Sequence, residues 1–141
     1  DRSAAAVQTA RQNARTHKVE HRIDWFCRDW DAALVPDRQT FDLIVSNPPY
    51  VAEQDPHLTQ GDVRREPRTA LAAGAQGLDA LARLIQDAAR ALKAGGWLFL
   101  EHGAGQSAAV HALLNKLNFK GVATWSDLAG LERVTGAHKA G

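Results

Sequence analysis

FDLIVSNPPY, Phe41 to Tyr50, holds an apolar run that stops at a polar residue and two prolines. Leu43, Ile44 and Val45 have the composition of a strand buried on both faces. The prolines decide against a core helix. A residue before proline is pushed out of the helical region, and neither Pro48 nor Pro49 can donate a backbone hydrogen bond. The strand therefore delivers a stiff corner with the carbonyls of Asn47 and Pro48 facing outward. The Asn47 side-chain oxygen and the Pro48 carbonyl are then two acceptors fixed a few bonds apart, which suits the two hydrogens of one planar NH2 group. Tyr50 offers a flat face for stacking and leaves the nitrogen lone pair directed at an electrophile. The corner reads as an amine or amide clamp rather than as a proline turn capped by an asparagine.

On the upstream side, Ser3 is placed to cap a helix reaching about His17, with Val7, Ala10 and Ala14 at helical spacing. His21 to Cys27 (HRIDWFC) predicts a strand that ends at Arg28-Asp29-Trp30, and Pro36-Asp37 a turn before the central strand. On the downstream side, Val51 to Gly77 has charge and turn residues but no period, as expected of a loop that covers a substrate. Leu78, Leu81, Leu84, Ile85, Ala88, Ala89 and Leu92 mark one face of a helix, with Asp79 as its cap and Gly95-Gly96 as its end. Trp97 to Glu101 predicts a strand, and Gln106 to Leu117 a helix. Gly121 to Trp125 and Glu132 to Ala137 predict two strands whose short connection makes them antiparallel. Helices alternating with strands imply an α/β sheet with helices on both faces. In such sheets ligands sit beyond the carboxyl ends of the strands, so Asp29-Trp30, Asn47 and Glu101 are expected to converge on one crevice. For Glu101, capping or pairing with a basic neighbour is the competing role.

A chain of 141 residues with 45% apolar content is long enough for one domain with a real core. Its net charge of +1 has no segregated basic stripe, which disfavours a nonspecific grip on nucleic acid or membrane. No apolar run approaches membrane-spanning length and the first residues lack a signal-peptide core, so the cytoplasm is the expected location. Cys27, the single cysteine, lies among Phe26 and other apolar residues and is expected to be a buried structural thiol. The six histidines lack ligand spacing, so no metal is expected. His102, in the segment EHG, is expected in a solvated loop.

Asp1-x-Ser at a helix start, Asp29-Trp30, SNPPY, GDVRREPRTALAAGAQGLD, GGWLFLEHG with Gln106, and DLAGLERVTG together resemble the bacterial release factor glutamine methyltransferases, the HemK/PrmC family. Asn-Pro-Pro-Tyr alone is shared with adenine-N6 DNA methyltransferases and several rRNA and protein methyltransferases. Glu66-Pro67 to Leu71 and the ERVTG ending narrow the resemblance. It implies a class I, Rossmann-like fold and S-adenosyl-L-methionine-dependent N5-methylation of the glutamine in the Gly-Gly-Gln motif of peptide-chain release factors. By the same resemblance Asp1 would bind the ribose hydroxyls, Asp29 the adenine amine, and Trp30 would wall the adenine pocket. Asn47, Pro48, Pro49 and Tyr50 would form the substrate clamp, with Asn47 also touching the cofactor. The family's glycine-rich cofactor loop, the elements around it and its N-terminal helical domain have no counterpart in residues 1–141. The resemblance thus implies a partial catalytic domain lacking a central strand, weakly folded and inactive by itself. The alternatives are a nucleic-acid amino-methyltransferase, acting on adenine N6 or rRNA guanine N2, and an inactive truncated remnant.

Overall fold

Strand β1, Phe41–Ser46, forms where the apolar run lies, but it is not the central strand buried on both faces that was expected. Ile44 is buried against the helices while Leu43 and Val45 on the other face are exposed, and the carboxyl end leads straight into Asn47-Pro48. The computed structural model describes residues 1–28, 40–51 and 77–141. The chain divides into two units, Asp1–Val35 and Pro36–Gly141.

In the first unit, helix α1 runs from Ala4 to Thr16. The Ser3 hydroxyl accepts the Ala6 amide at 3.3 Å, satisfying one of the donors a helix start leaves orphaned. At the other end Lys18 turns left-handed (φ 57°), and Val19 N and Lys18 N donate back to the carbonyls of Ala14 and Arg15. That is the paired closure of a Schellman motif. Val7 and Ala14 are its buried positions. The strand expected at His21 to Cys27 does not form: Glu20–Arg22 is a 3-10 turn, and Ile23 to Cys27 has no ladder. Among the described residues the long-range backbone bonds here are to Asp1, whose amino group donates to Phe26 O and whose carbonyl accepts from Arg28 N. Without strands on either side Phe26 stays half exposed, and Cys27, expected to be buried, is exposed.

In the second unit, helix α2 (Asp79–Ala91) buries Leu81, Leu84, Ile85, Ala88 and Ala91, one face at helical spacing. Asp79 is not its cap. Leu78 occupies that position, and Asp79 lies in the first turn, where its charge favours the positive end of the helix. Nor do Gly95 and Gly96 end the helix. The chain passes from Ala91 directly into β2 (Leu92–Glu101), and the glycines lie in an irregularity of that strand. β1 pairs with β2 in parallel, but Phe41 faces Leu92 while Leu43 faces Trp97, so β2 accommodates extra residues between these pairs. Gly95 is left-handed there (φ 75°), and a Cβ on Gly96 would lie 3.2 Å from the Phe41 carbonyl oxygen.

Helix α3 (Ser107–Lys116) buries Val110 and Leu114 and leads, through a left-handed Asn118, into β3 (Phe119–Ser126). A turn held by Asp127 then reverses the chain into β4 (Glu132–Lys139). β3 and β4 are antiparallel, as their short connection requires, and β4 also pairs antiparallel with β2, giving the order β1-β2-β4-β3. α2 and α3 pack against each other and on the sheet face bearing Ile44, Leu98, Leu100 and Ala137. The opposite face carries Leu43, Val45, Trp97, Phe99, Trp125 and His138, with Phe99 5.7 Å from both Trp97 and Trp125 between ring centroids. β1 lies at one edge of this sheet.

Candidate active site

The parallel pairing of β1 and β2 brings two strand ends together. Ser46 faces Leu100, so Asn47 and Glu101 leave the sheet at the same end. Asn47 is exposed, which keeps its amide available to a ligand, whereas Pro48 is buried and Pro49 and Tyr50 are half-buried. The prolines bend the chain over the end of β2, and the Tyr50 hydroxyl donates to Glu101 Oε1 at 3.1 Å. In this contact Glu101 meets neither a helix end nor a basic neighbour; it fixes the Tyr50 hydroxyl. A phenol fixed at both its ring and its hydroxyl is a defined wall.

The backbone of Tyr50 is held as firmly. Gln106, just before α3, donates from Nε2 to the Tyr50 carbonyl at 3.0 Å and accepts the Gly103 amide on Oε1 at 2.8 Å. Gly77 adopts φ 70° beside it, and a Cβ there would lie 2.1 Å from the Tyr50 carbonyl oxygen, so no larger residue fits. Gly103 allows a similar approach: its Cβ would lie 3.1 Å from Gln106 Oε1 and 3.4 Å from Tyr50 Cδ2.

Beneath this layer His102 is fully buried, contrary to the solvated loop expected of it. The period of β2 explains why: Leu98, Leu100 and His102 follow the same alternation onto the helix-covered face. That alternation was the available signal. His102 Nδ1 lies 3.0 Å from the Gly103 carbonyl, which can only accept, so Nδ1 carries the proton. Nε2 lies 2.9 Å from Thr135 Oγ1; Thr135 is 2.7 Å from Thr124 Oγ1, which is 2.7 Å from His111 Nε2. This chain of hydrogen bonds satisfies a buried histidine that would otherwise be costly.

Of the residues expected at the site, Asn47, Pro48, Pro49, Tyr50 and Glu101 are brought together at one end of the paired strands. Asp29 and Trp30 lie outside the described residues, as do residues 52–76, expected to form a covering loop, and Pro36-Asp37, expected to form a turn. Asp1 belongs to the first unit, where its exposed carboxylate accepts the Ser3 amide at 2.7 Å. Gln106, Gly77 and His102 were not picked out as site residues by local pattern, because their partners lie far away in sequence. Among the described residues no cluster of three or more His, Cys, Asp or Glu side chains could hold a metal ion, and no helix is long and apolar enough to cross a membrane.

Residues 1–66 match the family described as RMKL-like, methyltransferase domain. Among curated proteins, the chain is 51% identical over 135 residues to the release factor glutamine methyltransferase of Xylella fastidiosa strain Temecula1, covering 96% of this chain and 48% of that protein. It is 45% identical, with the same coverage of both, to the release factor glutamine methyltransferase of Pseudomonas aeruginosa. The chain spans about half the length of these relatives. Among solved structures it resembles a SAM-dependent O-methyltransferase from Thermotoga maritima, with a TM-score of 0.67 and 13% identity, over all of this chain and 48% of that one. At that identity the likeness is one of fold, an open Rossmann-like α/β sheet.

Proposed function

We propose that this chain, a homologue of the release factor glutamine methyltransferases over about half of their length, carries the substrate-clamping part of a protein-(glutamine-N5) methyltransferase. The observation that carries the reading is the rigid Asn47–Tyr50 corner, exposed at Asn47 and held at Tyr50 by Glu101 and Gln106. Its substrate would be the glutamine of the Gly-Gly-Gln motif of a peptide-chain release factor, and its place of work the cytoplasm, where translation ends. Residues 1–141 would then form the later part of a catalytic domain.

The cofactor of this reading is S-adenosyl-L-methionine, which when bound supplies a methyl group on a sulfonium that departs as a thioether. The residues present fit it as far as they extend: Asp1 offers an exposed carboxylate suited to a ribose diol, and Asn47 an exposed amide at the strand end. Asp29 and Trp30 would serve the adenine. An amide nitrogen is a weak nucleophile because its lone pair is delocalised. The Asn47 side-chain oxygen and the Pro48 carbonyl would accept its two hydrogens, push electron density back onto nitrogen and fix the direction of the lone pair. The nitrogen gains positive charge as it is alkylated and releases one hydrogen as a proton to water beside exposed Asn47. Positioning of this kind is worth about 7 to 11 kcal/mol, so no dedicated base is needed.

The experiment is a competition in a cell extract. The full-length protein containing residues 1–141 is incubated with radiolabelled methyl donor, and label is measured in protein and nucleic acid. Label in a release factor is expected. Label confined to DNA or rRNA would move the clamp to an exocyclic base amine, and none in either would favour an inactive remnant.

A further inference from the structure

We propose that Gln106 is a positioning residue for methyl transfer, setting the Tyr50 end of the clamp through the backbone; this rests on the amide-clamp reading above. The side chain bridges two main-chain groups that lie far apart in sequence. Gly103 N–H can only donate, so the atom 2.8 Å from it is the Gln106 oxygen; the Tyr50 carbonyl can only accept, so the atom 3.0 Å from it is the Gln106 nitrogen. The amide thus has one orientation. Its surroundings admit little movement. A Cβ on Gly77 would come within 3.0 Å of Gln106 Nε2, and one on Gly103 within 3.1 Å of Oε1. The Gly103 peptide is itself pinned, since its carbonyl meets His102 Nδ1 at 3.0 Å and accepts the Gln106 backbone amide at 3.1 Å.

The consequence reaches the substrate through the prolines. Pro48 and Pro49 have fixed φ angles, so a shift of the Tyr50 carbonyl is poorly absorbed within the corner. It passes to the Tyr50 ring or back to the Asn47 and Pro48 acceptors. Among the described residues the Gln106 side chain bonds to the Gly103 amide and the Tyr50 carbonyl, not to the Asn47 or Pro48 acceptors. Its effect should fall on the chemical step, where small misplacements are costly, and not on cofactor binding.

Gln106→Glu tests this selectively. The carboxylate still accepts the Gly103 amide but turns a second oxygen toward the Tyr50 carbonyl, where a donor had been. Protonated, the same side chain becomes a donor and restores the bond. In the full-length protein the expected result is a kcat at neutral pH lower by about 10- to 100-fold. Cofactor affinity by calorimetric titration and the KM for cofactor should be unchanged. Activity relative to wild type should recover as pH falls through the range in which the introduced carboxyl takes up a proton. Glu101, His102, Tyr50 and Glu132, which meets the Ser107 hydroxyl beside this position, are present in both proteins, so the ratio of the two profiles isolates position 106. Gln106→Leu should lose activity without acid recovery. A Gln106→Glu protein with wild-type kcat, with a loss confined to KM, or with no acid recovery would overturn the proposal while leaving the clamp standing. A wild-type protein that methylates no amide at any pH would instead remove the reading beneath it.

Discussion

The two ends of the Asn47–Tyr50 corner are built differently. At Asn47 the side chain is exposed, and among the described residues rigidity comes from the chain itself, from strand β1 behind and the prolines ahead. At Tyr50 rigidity comes from elsewhere in the fold: Glu101 on the hydroxyl, Gln106 on the carbonyl, and Gly77 against the same carbonyl. One end is open and the other is fixed; in the proposed clamp the fixed end gives the open end a stable reference. A clamp needs both, because acceptors that wander confer little advantage on a weak nucleophile.

This contrast can be broken at each end. The largest effect is expected at the open end. Asn47→Ala removes an acceptor from an exposed position without disturbing the core, so methyl transfer should fall by about 100- to 1,000-fold, by analogy with loss of one preorganised polar group. Its thermal unfolding should match wild type. A rate within threefold of wild type would take Asn47 out of the mechanism. At the held end the damage should be to stability first. Gly77→Ala forces a methyl group to within 2.1 Å of a backbone oxygen at φ 70°, and should destabilise by about 1 to 3 kcal/mol or more. Denaturant unfolding measures this, and an unchanged midpoint would mean that the Gly77 approach is dispensable.

Tyr50→Phe is milder. The ring remains and only the hydroxyl bonded to Glu101 is lost, so activity should drop less than tenfold, in kcat rather than in cofactor affinity. An equal loss in cofactor affinity would place Tyr50 in the cofactor pocket instead. The smallest effect is expected away from the corner, in a turn whose bonds close on themselves. Asp127 accepts the Leu131 and Ala129 amides and Arg133 Nε. The Leu131 bond foremost, helped by Arg133 and Ala129 and opposed by partial desolvation, holds its carboxyl below the ordinary 3.8. A depressed folded pKa means that this contribution is present above the unfolded pKa and is lost as pH falls through the folded one. Asp127→Asn should therefore slightly flatten the acid limb of stability and leave methyl transfer unaltered. A change in activity at neutral pH would show that the turn communicates with the clamp.

The sequence was most informative where the determining forces are local. The periodicity of Leu81, Leu84, Ile85 and Ala88, the short connection between β3 and β4, and the prolines after Ser46 act within a few residues, and helix, hairpin and corner form accordingly. Ile23 to Cys27 has equally strand-like composition but no ladder, because a strand exists only through the neighbours it pairs with. Gly95 and Gly96 were ambiguous for a related reason, since a glycine pair can stop a helix or relieve a strand, and the register of β1 on β2 chooses the second. At the site, Asn47 and Tyr50 were visible as a motif. Gln106 and Gly77 stood in the segments that carry the resemblance, but their contact with the Tyr50 carbonyl was not legible, because the fold brings that carbonyl to them from far away in sequence.

The account is tested most directly by mass spectrometry of a purified release factor. The factor is incubated with S-adenosyl-L-methionine and the full-length protein containing residues 1–141, in parallel as wild type and as Asn47→Ala. The expected result is one added methyl group on the glutamine of the Gly-Gly-Gln motif with the wild type, and almost none with the variant. An unmodified glutamine with the wild type, or equal modification by both proteins, would contradict the claim that the Asn47–Tyr50 corner grips a glutamine amide.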